Sequence, residues 1–191
     1  MSSEPQPLTL GGPLFRNPST SHSSFSSSWH RHAQIVTPWF LHYQVVDYIQ
    51  IHLPDPAPTP TPHEPSPANC PSAQDILLQA KALLRQADGV AYVRCAPIAL
   101  PDGSAKPFGS GPSHPYFRDV VVPDERRFLH AESGASGVRG ETPVYHVPGL
   151  GAEEWRRLAV EMGGVEFVKI REGKAVVEGV WDAEWIKWNE E

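Results

Sequence analysis

Cysteine is almost missing from this chain: Cys70 and Cys95 are the two among 191 residues, too few for a disulfide framework. Positive charge is also in short supply. The 16 Lys and Arg against 22 Asp and Glu leave a formal net charge of −6. A nucleic-acid binder would show a basic patch or stripe, so no nucleic-acid partner is expected. No apolar run approaches the 18 residues that mark a membrane span, and no membrane partner is expected either. The opening stretch MSSEPQPLTLGG has neither a basic start nor a long apolar centre, both of which a secretory signal needs. A reduced, cytoplasmic protein is the expectation.

Cofactor and metal motifs are lacking as well. There is no phosphate-binding P-loop, no dinucleotide glycine fingerprint and no Gly-x-Ser-x-Gly turn. His30 and His32 sit two apart, so on a helix they face apart and cannot ligate a metal as an i, i+4 pair. The other histidines are dispersed. No cofactor and no metal are expected, which leaves acid–base chemistry, to which histidine is suited by its pKa.

Proline is abundant, with 21 residues. Residues 54–71 carry it at nearly every second position early on and read as an extended, polyproline-like insertion. Residues 1–7 read as disordered, and 103–111 as a turn-rich loop.

Between these stretches the pattern alternates. Residues 8–15 (LTLGGPLF) suggest a first strand, interrupted at Gly11, Gly12 and Pro13 and so placed at an edge or bulge. In 21–40, Phe25, Trp29, His32 or Ala33, Val36 and Phe40 recur at helical spacing behind a Thr20 or Ser21 cap, with Pro38 expected to end or kink the helix. Residues 45–53 (VVDYIQIHL) are a strand with two faces. One is mostly apolar; the other carries Tyr48, Gln50 and His52, as a pocket wall would. Ser72 caps a helix over 72–87, residues 89–94 form a strand, 140–147 another, and 153–162 a helix. Residues 165–170 and 174–181 face each other across a turn as a hairpin, and Trp181, Trp185 and Trp188 follow.

The block 114–131 (HPYFRDVVVPDERRFLHA) reads as an aromatic loop entering a short helix. Pro123 suits the first helical position, and Asp124 and Glu125 complement the dipole of the first turn. The acidic pair is read as a helix start. The strand–helix alternation suggests an open α/β or a ferredoxin-like α+β sandwich.

Several of these stretches together resemble the EthD-domain family. His114-Pro115-Tyr116-Phe117, the valines 120–122, Pro123-Asp124-Glu125 and Phe128-Leu129 follow its closing pattern. Arg16 to Pro18, Phe25, Trp29, His32-Ala33 and residues 35–39 resemble its opening. Tyr48, Gln50 and His52 resemble its second strand, and Asp88-Gly89-Val90-Ala91 the start of its third. Within the family the chain is similar to fungal polyketide-tailoring proteins of the atrochrysone carboxylic acid decarboxylase type. The resemblance covers roughly residues 16–149. It implies a ferredoxin-like α+β domain over 8–149, interrupted by the insertion 54–71. Two such protomers pair their sheets as a dimeric α/β barrel around a substrate cavity, and 150–191 stands as a C-terminal extension of helix plus hairpin. One departure is specific: Trp29 to His32 is one residue shorter than the family spacing, a rotation of about 100° on a helix.

The candidate catalytic residues are His32 and His52. Each has a plainer alternative, a hydrogen-bonded helix-face histidine and an exposed strand-end residue before Pro54. Trp29, Tyr48, Gln50, Tyr116 and Phe117 are candidates for binding a small hydrophobic or aromatic substrate, with ordinary packing as the alternative. The resemblance implies a cofactor-independent decarboxylase or lyase acting on an aromatic polyketide or similar hydrophobic acid. Cofactor-free oxygenase-type oxidoreductase chemistry and a non-catalytic ligand-binding dimer module are the competing readings.

Overall fold

The computed structural model describes residues 7–55, 72–96, 115–130, 147 and 149–176. Most of the proline insertion, His114, the expected strand at 140–147 except Val147, and the three C-terminal tryptophans lie outside the described residues.

The chain order is β1 (Leu8–Leu14), α1 (His22–His42), β2 (Val45–His52), α2 (Ala73–Leu84) and β3 (Gly89–Cys95). A π-helical turn (Phe117–Val121) then runs into α3 (Val122–Glu125), followed by α4 (Ala152–Glu161), β4 (Val165–Arg171) and β5 (Lys174–Ala175). The five strands form one antiparallel sheet in the order β1-β3-β2-β4-β5. β1 and β2 are parallel, joined by α1 and separated by β3, the split β-α-β unit of ferredoxin-like folds. On the far side of β2 lies β4, from the segment read as an extension.

Local chemistry accounts for most boundaries. Ser21 caps α1 by accepting from the Ser24 amide. Ser72 and Asp75 form a reciprocal capping box on α2. The β4–β5 turn uses Glu172 and Gly173, both at positive φ (51° and 71°), as a two-residue primed hairpin turn requires. β1 keeps its pairing with β3 through Gly11, Gly12 and Pro13, because it is an edge strand among the described residues. A Cβ on Gly11 would lie 2.1 Å from the Ala91 carbonyl oxygen, so glycine is what lets the strands close there.

Two expectations are corrected. Pro38 does not end α1, which continues to His42; Thr37, Pro38, Trp39 and Phe40 are all buried, so packing outweighs the lost backbone hydrogen bond. The aromatic stretch before Pro123 is helical from Pro115 rather than a loop. Its π turn carries a hydrogen bond from the Val122 N–H back to the Phe117 carbonyl, immediately before the proline that has no amide hydrogen to give.

Helices cover both faces of the sheet. Tyr48, Val93 and Cys95 pack under α1 and the π turn, with Ala33, Val36, Trp39 and Phe117. Ile49, Ile51, Leu53, Val90 and Tyr92 pack under α2 and α4, with Leu84, Trp155 and Leu158. Burying each such large apolar side chain contributes about 1.5–3 kcal/mol before entropy. The second face, which a dimeric barrel would leave for another copy, is thus occupied within the chain by α2 and α4.

Candidate functional site

Residues two apart on an α-helix point about 200° apart, and α1 uses this to hold two histidines in opposite surroundings. His32 turns inward. It is 3% exposed, its Nδ1 lies 2.8 Å from Asp124 Oδ2, and its Nε2 lies 3.5 Å from Glu125 Oε1. Asp124 is also approached by Arg31 at 3.3 Å and Arg127 at 3.5 Å. Burial works against a charge on His32, but hydrogen bonding and attraction from the two carboxylates win and push its pKa up to about 9. Burial pushes the Asp124 carboxyl up, but His32 foremost, with Arg31 and Arg127, outweighs it and holds the carboxyl below its usual range. The second contact is long: His32 Nε2 and Glu125 Oε2 are buried without a hydrogen bond of ordinary geometry. Asp124 and Glu125 are therefore more than a helix start. They clamp the segment 115–130 to α1 through a buried ion pair spanning 92 positions.

His30 turns the other way, toward a cleft of about 750 Å³ between α1, the end of β2 and β4. Ser26, His30, His52, Leu53, Val165 and Phe167 are among its lining residues. His52 is fixed on every side. Its ring stacks on Trp29 at 4.6 Å, meets Phe167 edge-on at 4.8 Å, and places Nδ1 2.9 Å from Ser26 Oγ and Nε2 3.5 Å from Gln50 Oε1. Trp29 reaches this position because β3 begins at Gly89, where a Cβ would stand 2.3 Å from the indole.

The hydrogen-bond inventory sets the His52 tautomer. The Trp29 carbonyl can only accept, so the Gln50 group 2.7 Å from it is the amide nitrogen, which also donates to Tyr48 Oη at 2.9 Å. Gln50 Oε1 is left to accept from His52 Nε2–H. Nδ1 of His52 then accepts from the Ser26 hydroxyl. Burial foremost, then His30, Lys169 and His22, bring the His52 pKa down to about 4, so the ring is neutral at pH 7. Burial likewise keeps the Tyr48 phenol protonated far above its ordinary range.

The cleft is backed by an amine. Lys169 on β4 is 4% exposed, and its Nζ lies 2.8 Å from His30 Nδ1 and 5.5 Å from the Phe167 ring centre. Burial brings its pKa down to about 8. His30 is lowered too, by burial and then by Lys169. Among the described residues no carboxylate pairs with Lys169, His30 or His52, and none form a cluster able to hold a metal ion. An apolar wall beside uncompensated basic groups suits an anion carried on a hydrophobic body. No helix among the described residues is long and apolar enough to cross a membrane.

The sequence-derived candidates divide accordingly. His52 stands at the cleft, and Trp29, Gln50 and Tyr48 form the support beneath it. His32 lies in the acid-paired cluster on the opposite side of α1, so the two candidate catalytic histidines do not converge. Tyr116 and Phe117 belong to the core: Tyr116 Oη donates to the Ile35 carbonyl at 2.7 Å, and Phe117 stacks on Trp39 at 4.6 Å. His30, Ser26, Phe167 and Lys169 were not among the candidates. Ser26 and His30 are spaced i, i+4 on one helix face, and Val165 and Phe167 alternate on a strand, so part of the cleft had a local signal. Lys169 had none.

A family model described as the EthD domain matches residues 17–132, more than half of the chain. The match takes in α1, β2, α2, β3 and α3; β4 with Lys169 lies beyond it. No curated protein and no solved structure matches the chain.

Proposed function

Because the chain belongs to the EthD domain family, we propose that it is a small cofactor-independent enzyme that decarboxylates a hydrophobic β-keto acid, such as an aromatic polyketide acid. The observation that carries this reading is the cleft lined by His52, His30 and the apolar side chains of Leu53, Val165 and Phe167, with the buried Lys169 amine directly behind His30. An acid with an aromatic body places its ring against Phe167 and its negative charge toward the basic groups.

On decarboxylation the carbon–carboxyl bond breaks, carbon dioxide leaves, and the electron pair develops as charge on the ketone oxygen. A donor already aimed at that oxygen lowers the barrier, since no reorganisation is needed as charge appears. With Nδ1 accepting from Lys169, the neutral His30 ring offers Nε2–H as such a donor. His52, kept neutral by burial and by the basic groups around it, passes a proton between water and the substrate carbon through Nδ1 once the Ser26 hydroxyl turns away. His32 has its carboxylate partners and serves as a structural cation, so catalysis rests on His52 and His30.

Carbon dioxide release from an aromatic β-keto acid, followed by loss of the acid on chromatography, tests this. His52→Ala and His30→Ala each lower turnover by about a hundredfold or more; unchanged turnover in both removes the assignment. Oxygen consumption without carbon dioxide release would move the protein to the oxygenase class, and ligand binding without turnover to the binding modules.

A further inference from the structure

The pairing of β2 with β4 slips once. Tyr48 opposes Ile170 while its neighbour Ile49 opposes Val168, so Lys169 is the extra residue of a β-bulge. Bulges re-aim a side chain and concentrate beside active sites. This one leaves an amine 4% exposed, 2.8 Å from His30 Nδ1 and close to the Phe167 ring, two side chains that line the cleft. A lysine buried for structural reasons is normally paired with a carboxylate. Among the described residues Lys169 has the His30 imidazole instead. A desolvated amine with basic groups for neighbours is the setting in which lysine becomes a nucleophile.

We propose that Lys169 is a nucleophilic amine that forms an imine with the keto group of a β-keto acid held in the cleft between α1 and β4. This rests on the β-keto acid reading above and assigns it a covalent route. The neutral amine adds its lone pair to the ketone carbon; a carbon–nitrogen bond forms and the oxygen takes up a proton. Water leaves, giving the protonated imine. The carbon–carboxyl bond then breaks and carbon dioxide departs. Its electron pair forms the enamine double bond as the imine pair moves onto nitrogen. The carbon takes a proton, and water hydrolyses the imine to release the ketone and the amine. One proton is consumed overall, with no oxidant or reductant. The exposed His30 ring, which accepts from the amine, orients it and swings aside to admit the ketone.

The lowered pKa of about 8 makes the first step feasible at neutral pH. Roughly a tenth of the amine is unprotonated at pH 7, against a few parts in ten thousand for an ordinary lysine.

Full-length protein is incubated with benzoylacetate and sodium cyanoborohydride, which reduces imines to stable amines, then analysed by intact and peptide mass spectrometry, with carbon dioxide release measured in parallel. The expected result is one adduct, on the peptide carrying Lys169 and absent from Lys169→Arg and Lys169→Met, with carbon dioxide release lowered at least about a hundredfold in both. Urea unfolding of the two variants checks that they are folded. An adduct on Lys169 without carbon dioxide release upholds the amine and overturns the decarboxylase reading. Carbon dioxide release with no adduct overturns the amine and leaves that reading standing. Adducts spread over more accessible lysines such as the half-buried Lys81 and the exposed Lys174, or persisting in Lys169→Met, or no adduct and no carbon dioxide, each overturn the proposal.

Discussion

The two sides of α1 show how one helix can hold basic side chains in opposite electrostatic settings. Toward α3, His32 is buried among carboxylates and kept charged. Toward β4, His30, His52 and Lys169 are gathered with no carboxylate partner among the described residues and pushed toward their neutral forms. The first arrangement satisfies its charges internally and so anchors the fold. The second leaves basic capacity unspent, which is what a ligand or a reaction can use.

Breaking the acid side has the largest effect. Asp124→Ala leaves His32 buried without its partner and lowers unfolding stability by about 3–5 kcal/mol in urea titrations at pH 7. A loss under 1 kcal/mol would show that the pair is not what clamps residues 115–130 to α1.

The pH dependence sharpens the contrast, since the two sides act at opposite ends. His32 has a folded pKa of about 9 against 6.5 unfolded, so its contribution is complete below about pH 6.5 and is lost as pH rises through 9. The loss is on the order of 3 kcal/mol. His52, at about 4 folded against 6.5, contributes above pH 6.5 and fails as pH falls toward 4. Stability measured from pH 4 to 8, below the range in which the Lys169 penalty is relieved, should therefore fall on both sides of about pH 6.5, and His52→Gln should flatten the acid limb alone.

Removing Lys169 has the reverse sign from removing Asp124. Lys169→Met discards a buried ammonium that has no carboxylate partner among the described residues and raises stability at pH 7 by about 1–2 kcal/mol. The gain is present below about pH 8 and disappears as pH rises toward 10.5, where the amine is neutral folded or unfolded. A destabilised variant would mean that the amine is a structural partner of His30. The smallest expected effect belongs to Ser26→Ala, about 1 kcal/mol or less, with the His52 tautomer loosened in imidazole nitrogen NMR.

Much of the frame was legible because it is local. β2 and β3 declare themselves by β-branched and aromatic content, α2 by its stripe and Ser72 cap, and the β4–β5 turn by Glu172-Gly173. The opposed facing of His30 and His32 follows from helical periodicity alone. Pro38 misled because its penalty is local while the burial of Trp39 and Phe40 that offsets it is tertiary. The acidic pair was read only as a helix start for a similar reason: a helix dipole is visible in sequence, whereas a partner 92 residues away is not. Tyr48 and Gln50 were placed on the correct strand face, but whether a helix or a cleft lies over that face is settled by packing.

By itself, then, the sequence determined the family, the alternation of strands and helices, and which side chains share a face, because each depends on near-neighbour geometry. Only the tertiary structure decided which histidine is charged and which is neutral, since a pKa is set by burial and by groups brought from distant elements. It alone placed Lys169 at the cleft, because a bulge exists only in the register between two strands, and a strand read singly has no register.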